Sequence, residues 1–126
     1  MASIAFLGLG VMGYPMAAHL KHKGGHDVTV YNRTTAKAEK WVSEHGGAHA
    51  QTPAKASEGK DFVFACVGND DDLRQVTLGP DGAFGAMKKG AIFVDNTTAS
   101  AEVARELDAA ARERGFKSIN VDLIYG

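Results

Sequence analysis

The sequence predicts an α/β fold built on an open, doubly wound parallel sheet of about six strands. Short apolar runs alternate with helical segments along the 126 residues, which is typical of consecutive βαβ units. A GxGxxG glycine motif lies between the first apolar run and the first helical segment. Right-handed crossovers in this element order favour the strand order 3-2-1-4-5-6. The length suits one domain with a substantial core, which we expect to span residues 1–126.

The first βαβ unit contains the glycine motif. Its first run, Ser3–Leu7, is short and apolar, as expected of a buried parallel strand, and Val11–Lys23 is predicted as an amphipathic helix. A second strand, Asp27–Tyr31, completes a unit of about 30 residues, the size that binds a dinucleotide when it carries this motif.

Each glycine of the motif has its own expected role. Gly8 allows a sharp turn out of the strand, Gly10 lets a pyrophosphate approach the backbone, and Gly13 lets the helix pack closely on the sheet. Free N–H groups and the positive dipole end of the helix then attract the anion. We therefore predict a Rossmann domain, with a purely structural glycine turn as the alternative. The predicted cofactor-binding residues of this loop are Gly8, Leu9, Gly10, Val11, Met12 and Gly13.

The remaining elements follow from turn residues and helix caps. The further predicted strands are Ala48–Gln51, Asp61–Val67, Ala91–Asp95 and Phe116–Ile124. The further predicted helices are Thr34–His45, Pro53–Ser57, Asn69–Leu78 and Ala101–Arg114.

Local residues justify these boundaries in chain order. Gly46-Gly47 ends the second helix because glycine adopts positive φ, and Thr52-Pro53 starts the third with an N-cap and a proline at the first helical position. The fourth helix is followed by a turn at Gly79-Pro80-Asp81-Gly82, which has typical turn residues. Ser100 is the expected N-cap of the fifth helix, and Gly115 ends it.

Two residues that could bind ligands are interpreted as structural. Trp41 lies on the apolar face of the second helix and is expected in the core. Cys66 is the only cysteine, and its place in the apolar run of the fourth strand predicts burial. A lone thiol cannot form an intramolecular disulfide, which fits a reducing compartment, so we expect a cytoplasmic protein.

Composition argues against several kinds of partner. With 23% charged residues and a net charge of -1, no nucleic-acid surface is expected, and no apolar run approaches the ~20 residues that span a bilayer. His22 and His26 are four residues apart, as are His45 and His49, but glycine pairs interrupt both intervals, so we predict no metal site. The acidic run Asp70–Asp72 is interpreted as matching the dipole of the fourth helix.

The residues after the second strand indicate NADP(H). An acidic residue roughly 20 positions after the glycine motif usually accepts hydrogen bonds from the ribose of NAD. This chain has Asn32 there, followed by Arg33 and Thr34. A guanidinium can hold a 2′-phosphate through paired charged hydrogen bonds, with the Thr34 hydroxyl and then Lys37 as further donors. A solvated surface role for Arg33 is the alternative.

The segments FLGLGVMGYPMAAHL and VTVYNRT resemble the β-hydroxyacid dehydrogenase family, which includes 3-hydroxyisobutyrate dehydrogenase, tartronate semialdehyde reductase and glyoxylate/succinic semialdehyde reductases. Two later segments agree, Val67-Gly68-Asn69-Asp70 and Asp95-Asn96-Thr97-Thr98, so the resemblance covers residues 1 to about 117. It implies that Val67, Gly68 and Asn69 run along the cofactor and that Thr97, with Thr98 beside it, lies at the nicotinamide end. The 6-phosphogluconate dehydrogenases and imine reductases share the glycine loop and Asn-Arg-Thr, whereas Pro15-Met16-Ala17 favours the β-hydroxyacid group.

The resemblance ends near the last predicted strand. Family members are expected to continue into an Asp-Ala-Pro-Val-Ser-Gly-Gly type segment that binds the substrate carboxylate, and then into a helical domain with a catalytic lysine. Residues 117–126 instead read KSINVDLIYG. We therefore expect a missing helical substrate domain, no catalytic residue in this chain, and cofactor binding without unaided turnover. Apolar surface that such a domain would cover is expected to favour self-association, for example as a homodimer.

Three functions remain open on the sequence. The preferred one is the cofactor-binding half of an NADP-dependent β-hydroxyacid dehydrogenase or semialdehyde reductase, with the cofactor half of a 6-phosphogluconate dehydrogenase-like or imine reductase-like enzyme as a variant. The second is a stand-alone NADP-binding module with a sensing or scaffold role. The third is a domain that binds no nucleotide and serves through its fold or through dimerisation.

Overall fold

The computed structural model describes residues 1–97 and 100–121, and within them six strands form one sheet. The strands are β1 (Ser3–Leu7), β2 (Asp27–Tyr31), β3 (Ala48–His49), β4 (Phe62–Ala65), β5 (Ile92–Asp95) and β6 (Lys117–Asn120). Every neighbouring pair is parallel, and the spatial order is β3-β2-β1-β4-β5-β6. The predicted doubly wound topology is therefore confirmed.

The helices lie close to their predicted positions. They are α1 (Gly13–His22), α2 (Thr35–His45), α3 (Pro53–Ser57), α4 (Asp70–Leu78) and α5 (Ala101–Arg114). The main difference is that α1 begins at Gly13 rather than at Val11, because the chain needs the intervening residues to turn out of β1. A short 3-10 helix, Ala83–Gly85, follows α4 and was not predicted, since so short a segment has no readable periodicity.

The later strands are shorter than their apolar runs. A strand ends where its neighbour leaves the sheet, and β1 turns away at Gly8, so β4 ends at Ala65. Cys66 therefore lies beyond β4 and is half-buried, and the prediction that it is a buried strand residue is wrong. The predicted end of the sixth strand, residues 122–124, falls outside the described residues.

The core has two layers because both faces of the sheet are covered, as is usual for parallel sheets. Ile4 and Phe6 of β1 face one layer, which α1 and α2 complete. Ala5 and Leu7 face the other layer, which contains buried residues of α3, α4 and α5. Alternate side chains of a single strand thus pack into the two layers. Because all strands are parallel, their carboxyl ends lie along the same edge of the sheet.

Trp41 ties α1 to α2 in the first layer. Its side chain is 0% exposed, which confirms its predicted core position. Its indole N–H donates to the Tyr14 carbonyl oxygen at 3.2 Å, so the polar atom of this large side chain is satisfied.

The predicted caps of α3 and α5 are confirmed. The Thr52 hydroxyl accepts from the Lys55 backbone N–H at 3.1 Å, and the Ser100 hydroxyl accepts from that of Val103 at 3.2 Å. Gly115 ends α5 in the left-handed region, with φ of 84°. Only glycine adopts that conformation without strain.

We predict that Gly115→Ala lowers the free energy of unfolding by about 1–2 kcal/mol, because a Cβ is disfavoured in left-handed backbone. Urea denaturation followed by circular dichroism measures the change. Gly85→Ala is the matched control, since Gly85 has no positive φ and, in the part of the chain that the structure describes, no atom lies within 4 Å of an added Cβ. An equal loss in both variants would contradict the conformational explanation.

Candidate functional site

Gly8 forms the turn between β1 and α1. Its φ is 101°, and an added Cβ would lie 2.3 Å from the Cys66 carbonyl oxygen. Its N–H donates to the Tyr31 carbonyl oxygen at 2.8 Å. The chain therefore passes between the ends of β2 and β4 through a space that admits only glycine.

Gly10 and Gly13 lie in different surroundings. A Cβ on Gly13 would lie 2.2 Å from the Gly8 carbonyl oxygen, so the start of α1 is packed directly against the turn. No atom of the described residues lies within 4 Å of a Cβ on Gly10, which is exposed. Packing within the protein thus explains Gly13, whereas the surface over Gly10 is open to a ligand.

The amino end of α1 is suited to an anion. Its N-cap residue, Met12, makes no side-chain capping bond, and its first turn has no acidic residue. By contrast, α4 and α5 each begin with a capping side chain and at least one acid in the first turn. The positive end of the α1 dipole is therefore not compensated locally, which favours binding of a phosphate group there.

Asn32 braces the glycine loop. Its Oδ1 accepts from the Leu9 backbone N–H at 2.9 Å, and its Nδ2 donates to the Thr34 carbonyl oxygen at 3.1 Å. Both polar ends of this amide are thus engaged within the protein, and they link the end of β2 to the loop.

A cavity of about 570 Å³ opens beside this loop at the carboxyl ends of β1, β2 and β4. This volume is in the range of small-molecule and cofactor sites. Seven predicted residues line it, namely Gly8, Leu9, Gly10, Asn32, Arg33, Val67 and Gly68. The other predicted residues lie outside its lining, namely Val11, Met12, Gly13, Thr34, Lys37, Asn69 and Thr97.

Ten lining residues were missed by sequence reasoning. They are Tyr31, Gln51, Thr52, Pro53, Cys66, Asp72, Gln75, Val76, Pro80 and Asp81. Most come from the start of α3, one side of α4 and the turn after α4. Only Tyr31, Cys66 and the residues at the start of α3 lie at or just after the carboxyl end of a strand, where α/β sheets bind ligands, and the α4 and turn residues have no such sequence signal. Burial, and secondarily the Asp95 carboxylate, raises the pKa of the Cys66 thiol, which disfavours a thiolate in the cavity.

The loops after β4 and β5 are joined by Thr97. Its hydroxyl oxygen accepts from the Val67 backbone N–H at 3.0 Å, and its own N–H donates to Asp95 Oδ1 at 2.8 Å. Thr97 is only 3% exposed, so its hydroxyl is committed to this link. Burial raises the pKa of the Asp95 carboxyl, although its hydrogen bonds from Thr97 act in the opposite direction. Thr98 lies outside the described residues.

The remaining predicted residues have defined local roles. Asn69 is the N-cap of α4, because its Oδ1 accepts from the Asp72 backbone N–H at 2.9 Å. Thr34 begins α2 without a side-chain capping bond, which leaves its exposed hydroxyl unused by the helix. Lys37 is exposed one turn later, and Val11 and Met12 are 93% and 52% exposed at the tip of the glycine loop.

Arg33 reaches over the cavity from the end of β2. Its side chain is 79% exposed, and its Nη1 lies 3.5 Å from Asp72 Oδ1 at the start of α4. Arg33 is therefore placed where a group bound at the end of β2 would meet a positive charge.

Two of the five histidines lie close together, and they come from two different helices. His22 Nε2 of α1 and His45 Nδ1 of α2 are 3.1 Å apart. The described residues contain no group of three or more histidine, cysteine, aspartate or glutamate side chains that could hold a metal ion. Among the same residues, no helix has the length and apolar character needed to cross a membrane.

Comparison with known proteins agrees with this geometry. Residues 3–123 match the family model described as the NAD binding domain of 6-phosphogluconate dehydrogenase. An uncharacterized oxidoreductase of Shewanella frigidimarina is 65% identical over 109 residues, which are 86% of this chain and 37% of that protein. A probable 3-hydroxyisobutyrate dehydrogenase-like protein of Arabidopsis thaliana, named as mitochondrial, is 40% identical over 123 residues, or 98% of this chain and 40% of that protein.

Two solved structures share the fold over nearly the whole chain. The 3-hydroxyisobutyrate dehydrogenase of Mycobacterium tuberculosis, solved with L-serine, has a TM-score of 0.86 at 30% identity and covers 100% of this chain and 42% of its own. An imine reductase of Myxococcus stipitatus in complex with NADP+ has a TM-score of 0.78 at 28% identity, with 94% and 40% covered. The chain therefore spans well under half the length of these relatives. The predicted resemblance to 3-hydroxyisobutyrate dehydrogenases is confirmed. The chain belongs to the family of nicotinamide-dinucleotide-binding domains typified by the NAD binding domain of 6-phosphogluconate dehydrogenase.

Proposed function

We propose that this chain is the NADP(H)-binding domain of an oxidoreductase that transfers hydride between NADP(H) and a small β-hydroxyacid or semialdehyde. The observation that carries the proposal is the open backbone at Gly10, beside the uncapped amino end of α1 and the cavity. Among the relatives, 3-hydroxyisobutyrate dehydrogenases favour the substrate class.

The glycine loop would hold the pyrophosphate. Gly10 leaves room for phosphate oxygens, and the backbone of Val11, Met12 and Gly13 leads into a helix end with no competing acid or cap. Gly8 and Leu9 shape this surface, because both backbone N–H groups are held by the end of β2. A side chain need not supply the charge, since the helix dipole already attracts an anion.

Selectivity for the 2′-phosphate would come from the residues after β2. Arg33 is a charged donor at the cavity, and the Thr34 hydroxyl and Lys37 ammonium are exposed nearby at the start of α2. Asn32 replaces the usual acid, so no carboxylate at this position repels the phosphate. The complex of a 28% identical imine reductase with NADP+ agrees with this choice.

The loops after β4 and β5 would line the path toward the nicotinamide. Val67 and Gly68 face the cavity, and Asn69 fixes the start of α4. Thr97 would act mainly by holding the Val67 backbone in place. These residues would therefore bind and orient the cofactor, and none of them is assigned a proton transfer.

When bound, NADP(H) supplies the hydride, and the reaction also needs an acid or base at the substrate oxygen. We assign no catalytic residue to this chain and propose that it binds cofactor without unaided turnover. The relatives are more than twice as long, which agrees with a catalytic group in a helical substrate domain. An imine reductase-like enzyme is the second candidate, because that fold also matches. A single domain over residues 1–126, a cytoplasmic location and homodimer formation remain predictions.

We predict that Arg33→Ala weakens NADPH binding roughly ten- to hundredfold, the usual effect of losing a charged hydrogen bond. NADH binding should change less than threefold, because NADH has no 2′-phosphate. A parallel titration followed by nicotinamide fluorescence measures both. Equal loss for the two nucleotides would overturn the assignment of Arg33.

A second prediction tests the glycine loop. Gly10→Val should leave the free energy of unfolding nearly unchanged, because Gly10 is exposed, no described residue lies within 4 Å of an added Cβ, and φ is not positive. Affinity for NADPH should nevertheless fall by roughly tenfold or more, because the side chain occupies the phosphate position. Gly85→Val is the control for a valine on exposed backbone. Unimpaired NADPH binding by a folded Gly10→Val variant would exclude the proposed pyrophosphate site.

A further inference from the structure

The three consecutive acids at the start of α4 have different partners. Asp70 Oδ1 accepts from the Ser100 backbone N–H at 3.0 Å, which points this side chain toward α5. Asp71 Oδ1 lies 3.5 Å from Arg74 Nη1, within its own helix. Of the three, only Asp72 lines the cavity, where it pairs with Arg33. Compensation of the α4 helix dipole therefore does not by itself account for the contacts of Asp72.

The carboxylate of Asp72 lies between the ends of β2 and β4. Its Oδ1 is 3.5 Å from Arg33 Nη1, and its Oδ2 is 3.7 Å from the position of a Cβ added to Gly68. Its backbone is held by the bond to Asn69 Oδ1, and its side chain is only 27% exposed. The Asp72 backbone is thus held and its side chain is mostly buried, whereas its arginine partner is largely exposed and can reorient.

With a 2′-phosphate bound as proposed, Arg33 would have two anionic partners, the phosphate and Asp72. An exposed ion pair at this distance is weak, so the pair does not lock the guanidinium. A bound 2′-phosphate would need the same donors and would bring a second negative charge toward the Asp72 carboxylate. NADH brings no such group, and its binding would leave the Arg33–Asp72 pair intact.

We propose that Asp72 is a selectivity-determining residue that competes with the 2′-phosphate for Arg33 and thereby limits the preference for NADP(H) over NAD(H). This inference rests on the proposed function, because it assumes that Arg33 binds the 2′-phosphate. Asp72 then sets how much of the arginine's charge is available to the cofactor. Asp81 also lines the cavity, but it has no ion pair with Arg33.

The test uses the whole 126-residue chain with Asp72→Asn, titrated with NADPH and NADH at low and high salt. We expect NADPH affinity to rise roughly three- to tenfold at low salt. The gain should be smaller at high salt, because dissolved ions screen the charges at this solvent-accessible site. NADH affinity should change less than twofold. Asp71→Asn is the matched control, since it removes the same charge from the same helical turn but faces Arg74, and it should leave the NADPH to NADH ratio unchanged.

A double-mutant cycle identifies the route of the effect. In the Arg33→Ala background, Asp72→Asn should no longer improve NADPH binding, because the contested donor is gone. A gain that persists without Arg33, a similar gain in Asp71→Asn, or weaker NADPH binding by Asp72→Asn would each overturn the inference. If Arg33→Ala weakens NADPH binding while Asp72→Asn has no effect, only this inference fails. If the unaltered chain binds neither nucleotide, the proposed function fails with it.

Discussion

The site depends on the passage of Gly8 between two strand ends. Its N–H bonds to the last residue of β2, while the place of its missing side chain is filled by a carbonyl just beyond β4. This contact sets the direction in which the chain leaves β1. Because Gly13 packs directly on the Gly8 carbonyl, the same turn also places the start of α1. A larger residue at Gly8 would separate β1 from its neighbours and move the start of α1.

Hydrogen bonds from neighbouring strands hold the loops around this turn. Asn32 fixes the Leu9 backbone, and Thr97 fixes the Val67 backbone. In each case, a side chain just past the end of one strand accepts a hydrogen bond from the loop that follows the neighbouring strand. The parts of the cavity wall formed by the loops after β1 and β4 are therefore positioned from the sheet, which is the rigid part of the fold. Such walls can bind a large, extended cofactor with little rearrangement on binding, which reduces its entropic cost.

Charge at the site comes from few groups. The α1 end offers partial positive charge without a side chain, whereas Arg33 offers a full charge on a flexible stem. Asp72 faces Arg33 from α4, so a positive and a negative side chain lie together at the end of β2. The first would attract a phosphate group and the second would repel it. Under the proposed function, cofactor choice depends on two elements that are distant in sequence, and neither β2 nor α4 alone would reveal it.

The sequence by itself determined the topology, because local patterns encode it: apolar runs, the glycine spacing, Thr52, Ser100 and Gly115 each act within a few residues of their own position. It also indicated seven of the lining residues, which lie in the first few positions after β1, β2 or β4. Only the tertiary structure placed Cys66, Asp72 and the α3 and α4 side chains in the cavity wall, since their orientation depends on how helices pack over strand ends. It likewise showed that Asn32, Asn69 and Thr97 hold backbone groups, because a polar side chain's partner is a matter of distance in space, which one-dimensional spacing does not contain.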